Sequence, residues 1–172
     1  MSNYYGYFED INGKTACLAG VVSTLSDETL NKIIPRFWAV QADVFETDKE
    51  GLVSSIKKRL SIYNRDSKEE YELLDDFNFE IEECESDFGE ILNSLFTSYK
   101  AEHSDEEKEY TDEFLKELHF HLGDIESIYR LKKPLGDKSE RCFSSAYTYV
   151  VFDIIFIQYS GYMVMVVLGS DE

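Results

Sequence analysis

The sequence is poor in cysteine and proline, short of basic residues, and lacks both long apolar runs and catalytic signatures. Its cysteines, at 17, 84 and 142, are odd in number, widely separated and form no CxxC, so neither a disulfide framework nor a zinc knuckle is indicated. Three reduced thiols fit a cytoplasmic location. The longest apolar stretches, Tyr147–Ile157 and Tyr162–Leu168, fall short of the roughly 20 residues that a membrane-spanning helix needs. Their richness in β-formers makes them strands. The start, Met1-Ser2-Asn3-Tyr4-Tyr5, lacks the basic residues, apolar run and cleavage site of a signal peptide, so export by the general route is not expected. There is no GxSxG, no Walker loop and no GxGxxG after a strand. The acids around Asp75-Asp76 and Glu82-Glu83 do not follow the spacing of a calcium loop. These absences point away from an enzyme and predict no catalytic, cofactor or metal site.

Hydrophobic residues make up 43% of the 172-residue chain and aromatics 15%, the composition of a folded globule. A chain of this mass buries roughly 70% of the surface it exposes when unfolded. One domain over residues 1–172 is expected. Only two prolines occur, Pro35 and Pro134.

The net charge of -18 is segregated. Between Asp66 and Glu126 stand 22 Asp and Glu against four Lys, whereas the other 111 residues carry 13 acids and 13 bases. An acidic middle between neutral ends projects a directed field. Such a field repels nucleic acid and anionic lipid and speeds encounter with a basic protein surface. A solvated helical face that only maintains solubility is the bland alternative.

Patterning predicts the order of elements. Tyr4–Glu9, the Asn12-Gly13 turn and Thr15–Val22 suggest an N-terminal hairpin. Ser26 caps a short helix from Asp27 to Ile34, ended by Pro35, and Phe37–Phe45 reads as a strand. Leu52, Val53, Ile56, Leu60 and Tyr63 predict a helix over 49–63. Asn64–Ser67 reads as a turn, Lys68–Phe77 as a short acidic helix and Asn78–Cys84 as a strand. From Asp87, capped by Ser86, the spacing of Phe88, Ile91, Leu92, Leu95, Phe96 and Tyr99 gives an amphipathic helix. Ser104 with Glu107 forms a capping box for a helix through Phe114, Leu115, Leu118 and Leu122 that stops at Gly123. After the Lys132–Asp137 loop, Ala146–Gln158 suits a central strand covered on both faces, and Ser160-Gly161 turns it into Met163–Leu168. The fold class is α+β: a mostly antiparallel sheet of N-terminal and C-terminal strands, with acidic amphipathic helices inserted between.

Candidate sites each have an ordinary reading. His119 and His121 are two apart, which on a helix points them in different directions and disfavours a shared metal. Asp153 lies within the apolar run Val150–Ile155 and must find hydrogen bonds or a cation such as Arg36 or Arg141, or serve as a functional acid. Cys142 pairs with a distant histidine only by coincidence of folding. Tyr4, Tyr5, Tyr7, Tyr147, Tyr149, Tyr159 and Tyr162 exceed what one sheet face hides, and exposed tyrosines among carboxylates suit a protein interface.

Size, segregated acidity, available tyrosines and the missing catalytic motif together resemble the immunity proteins of bacterial toxin systems, above all those that neutralise nucleases. The resemblance lies in overall character across the chain. It implies a basic toxin domain as partner, with acidic side chains covering the surface that would otherwise meet nucleic acid. The partner-binding residues expected on the acidic surface are Asp75, Asp76, Glu82, Glu83, Glu106, Glu107, Glu109, Glu113 and Glu117. No direct contact with nucleic acid or membrane is expected. The competing readings are a mimic of nucleic acid, an acidic adaptor or regulatory subunit, and a small hydrolase working near Asp153. The oligomeric state is left open.

Overall fold

The computed structural model describes residues 13–34, 38–47, 51–63, 79–98, 106–137, 140 and 151–170. The first element is a helix, α1 (Gly13–Glu28), where the sequence suggests the second strand of a hairpin. Its buried positions are Thr15, Leu18, Ala19, Val22 and Ser26, spacings of three and four that only a helix gathers on one face. A short run of small apolar residues satisfies both periods, and the tertiary contacts decide. Ser26 is therefore no N-cap: it lies in the last turn, buried, with its hydroxyl donating to the Ser23 carbonyl at 2.9 Å. The helix breaks at Thr29, whose hydroxyl donates to the Leu25 carbonyl, and resumes as α2 (Leu30–Ile33). Tyr4–Glu9 and Asn12 lie outside the described residues.

The next elements follow the expected order. They are β1 (Trp38–Glu46), α3 (Leu52–Tyr63) and a short β2 (Ile81–Glu83). The predicted turn at 64–67 and acidic helix at 68–77 lie outside the described residues. Helix α4 (Phe88–Ser98) buries Phe88, Ile91, Leu92, Leu95 and Phe96, as its spacing requires. Its cap is Asp87 and not Ser86: Asp87 Oδ1 accepts the Glu90 N–H at 2.9 Å, and the Asp87 carbonyl accepts the Ile91 N–H. A carboxylate at that position also meets the positive end of the helix dipole.

Helix α5 (Glu107–Leu122) ends at Gly123, which takes a φ of 89° and donates its N–H to the His119 carbonyl. Glu106 occupies the N-cap without a side-chain cap bond, and Ser104, half of the expected capping box, lies outside the described residues. Strand β3 (Ser127–Leu131) escaped the sequence reading, since five residues with an arginine among them give little alternation. Strands β4 (Val151–Tyr159) and β5 (Tyr162–Ser170) form the expected hairpin around Ser160-Gly161, with Tyr159 opposite Tyr162.

Among the described residues these strands make one antiparallel sheet in the order β1-β5-β4-β3-β2. Val40, Ala42, Val44, Ile155, Ile157, Val164 and Val166 share a face and pack under α1, α2, α4 and α5. Phe152, Ile154, Phe156, Met163, Met165 and Val167 point the other way, against Ile56 of α3 and Phe79. The two central strands are thus buried on both faces, which is why β4 reads as a nearly continuous apolar run.

Side chains finish the exposed strand margins. On β1 the Asn31 amide brackets Val40, accepting its N–H at 3.1 Å and donating to its carbonyl at 3.2 Å. Where β4 runs past the end of β3, Lys133 Nζ donates to the Phe152 carbonyl, and Asp153 Oδ1 accepts the Ile154 N–H at 3.0 Å. Backbone groups there would otherwise offer a template for another chain.

Candidate partner-binding site

Helix α5 carries most of the acids that the sequence singles out. Thr111, Phe114 and Leu118 turn inward and fix its orientation. The helical period then sets Glu109, Glu113 and Glu117 on an adjacent face. Glu107 and Glu109 lie in the first turn, where the helix dipole favours anions, so part of their role is structural. Asp112 is engaged by Lys108 at 2.6 Å, an exposed i,i+4 pair whose hydrogen bond and charge raise the lysine pKa. Glu113 and Glu117 have no hydrogen-bond or ion-pair partner among the described residues.

A groove of about 630 Å³ runs between α1 and α5. Glu113, Glu117 and His121 line it from α5, and Cys17, Gly20, Val21, Thr24 and Glu28 line it from α1. A Cβ added at Gly20 would meet nothing within 4 Å, so that wall is open. Near the end of α5 the Phe120 ring is 79% exposed, with its centroid 5.0 Å from that of His121 in an edge arrangement. His119 turns elsewhere, its Nδ1 lying 3.3 Å from Asp124 Oδ1. The histidines share no site, and among the described residues no three His, Cys, Asp or Glu group as metal ligands.

The remaining candidates are placed as follows. Glu82 and Glu83 are exposed on β2, a different element, where Glu83 Oε1 accepts the Ser127 hydroxyl at 2.7 Å. Asp75 and Asp76 lie outside the described residues. Glu106, Glu107, Glu109, Glu113 and Glu117 come together on or at the start of α5. Asp153 is buried, and its cation is Arg130, at 3.2 Å from the neighbouring strand. Arg36 and Arg141 are outside the described residues. Burial pushes the Cys84 thiol pKa up against the opposing pull of Arg130, which keeps the thiol protonated. Cys142 is outside the described residues.

The tyrosine expectation needs correction. Tyr159 is fully buried and so is no surface anchor, while Tyr162 is half-buried. Tyr4, Tyr5, Tyr7, Tyr147 and Tyr149 lie outside the described residues. Among the described residues the exposed large apolar side chains are instead Phe120 and Ile125. Phe120 was findable: it falls off the Thr111-Phe114-Leu118 stripe. The groove was not, because it depends on how two helices with 78 residues between them pack.

No described helix is long and apolar enough to cross a membrane. No family model matches the chain, and no curated protein matches it. Among solved structures it is similar to citrus MAF1 in two crystal forms, each at 14% identity and covering 90% of this chain. The TM-scores are 0.44 and 0.43, and 97% and 99% of the citrus chains are covered.

Proposed function

We propose that this protein acts in the cytoplasm by binding a basic protein surface, as an immunity-type inhibitor of a basic toxin domain does, and not by catalysis. The observation that carries the reading is Phe120, an aromatic ring 79% exposed on the helix that bears Glu109, Glu113 and Glu117. An exposed aromatic supplies the desolvated anchor of an interface, and surrounding charge of one sign supplies association rate and partner choice. The excess of acid over base between Asp66 and Glu126 gives the field its sign. Cys17 and Cys84 are free thiols, in keeping with a reducing compartment.

The test is affinity capture with the full chain from its source cells, eluted through a salt gradient. One basic polypeptide at stoichiometric yield, whose activity falls when this protein is added, supports the inhibitor reading. With that partner, charge reversal of Glu106, Glu107 and Glu113 slows association and flattens its salt dependence. Unchanged kinetics would remove α5 from the interface, and capture of an acidic partner would overturn the reading.

A further inference from the structure

Helix α1 has no charged residue between Lys14 and Asp27, in a chain that is 30% charged. Its exposed side presents Cys17, Gly20, Ser23 and Thr24, all small. A solvent-facing helix surface ordinarily carries charge. Across the groove stand Glu113 and Glu117, with Glu28 on the α1 side, and none of the three carboxylates has an ion-pair or hydrogen-bond partner among the described residues. The concavity is therefore small and neutral on one wall and anionic on its rim.

That combination selects its occupant. Covering unpaired carboxylates with apolar surface alone is costly, so the occupant must bring cations. The neutral wall gives an isolated cation no oxygen ligands to converge on, whereas it suits an apolar face. A groove between two helices accepts the ridge of a third, and small residues such as Gly20 allow a close approach. We infer that the α1/α5 groove seats a basic amphipathic helix of the partner protein, its small apolar face on Gly20 and Val21 and its lysines or arginines on Glu28, Glu113 and Glu117. This rests on the reading of a basic partner and names where on the molecule that partner docks.

The probe is a synthetic lysine-alanine-leucine amphipathic peptide of about four helical turns, compared with its counterpart bearing glutamate in place of lysine. Each is titrated at low salt into the full chain, with amide chemical shifts as readout. Gly20→Trp fills the groove at a position where a side chain meets nothing within 4 Å, and it removes a helix-weakening glycine, so the fold is kept. The paired variant Glu82→Lys/Glu83→Lys alters acids on β2. The expected result is that only the lysine peptide binds, shifting amides in 17–28 and 113–121, with Gly20→Trp weakening it about tenfold or more and the β2 variant having a smaller effect.

Binding of the lysine peptide with shifts elsewhere, or indifference to Gly20→Trp, overturns the groove and leaves the basic-partner reading standing. Failure of both peptides to bind at low salt overturns both. Equal binding of the glutamate peptide overturns the role of the carboxylates. Self-association of the free chain that Gly20→Trp abolishes would assign the groove to a second copy instead.

Discussion

Arg59 of α3 reaches onto the sheet and forks over Asp43 of β1, Nε to Oδ2 at 2.5 Å and Nη2 to Oδ1 at 2.7 Å. On the opposite face Arg130 of β3 meets Asp153 of β4 through a single contact, Nη2 to Oδ2 at 3.2 Å. In both cases the carboxylate also accepts the N–H of the next residue, Val44 or Ile154. The charge-assisted fork of Arg59 on Asp43 ties α3 to β1 with fixed geometry.

The Asp43–Arg59 pair is buried, with the arginine side chain only 2% exposed. Arg59→Met takes the fork away from a buried carboxylate and is expected to cost about 3–5 kcal/mol. Replacing both residues with apolar ones of similar volume should return much of that loss. Urea titration of the single and double variants measures it. A single variant as stable as the parent would show that the pair contributes nothing.

Tyr159 is fully buried and its hydroxyl finds no partner among the described residues. Tyr159→Phe removes a desolvated polar group and should raise stability by about 1 kcal/mol. Burial also raises the phenol pKa above its ordinary 10.0. The folded state then keeps a proton that the unfolded chain loses. Tyrosine-linked stability is full below pH 10 and declines as pH rises beyond it, by up to about 1.4 kcal/mol per pH unit. Between pH 8 and 11 the melting temperature of the parent is expected to fall more steeply than that of Tyr159→Phe, so the gap between them widens; identical slopes would contradict this.

The cap of α4 offers a sharp comparison. Asp87→Ala deletes the acceptor for the Glu90 N–H and should cost about 1 kcal/mol. Ser86→Ala is expected to fall within about 0.5 kcal/mol of the parent. A larger loss at Ser86 than at Asp87 would restore the cap that the sequence suggests.

Phe120→Ala separates binding from folding. A side chain this exposed contributes little to stability, so the melting temperature should hold while affinity for the captured partner drops by about 2 kcal/mol, roughly 30-fold. Retained affinity would exclude Phe120 as an anchor.

Strong periodic signals in the sequence survive in the fold. The stripe Phe88-Ile91-Leu92-Leu95-Phe96, the glycine after Leu122 and the two-sided apolar run of β4 each admit one structure, and each is found. Thr15–Val22 fails because small residues fit two periods, and the packing of Leu18, Ala19 and Val22 over Val40 and Val44 decides for helix. The charge of α5 was legible from composition. Whether a given tyrosine is covered was not, since Tyr159 lies on the same strand parity as Ile155 and Ile157 and is hidden by helices distant in sequence.

The pairing of β1 with β5 sets an order on assembly. Trp38 lies opposite Ser170 and Glu46 opposite Tyr162, so among the described residues β1 has no strand beside it until the ribosome has passed the β4–β5 hairpin. Until then α1 and α2 have α5 to pack against but β1 lacks its partner strand, a long-range closure of the kind that slows folding. The nascent chain therefore depends on its late-made strands to shelter its early ones, and a stalled or truncated product would present β1 to whatever chaperone or neighbour it met first.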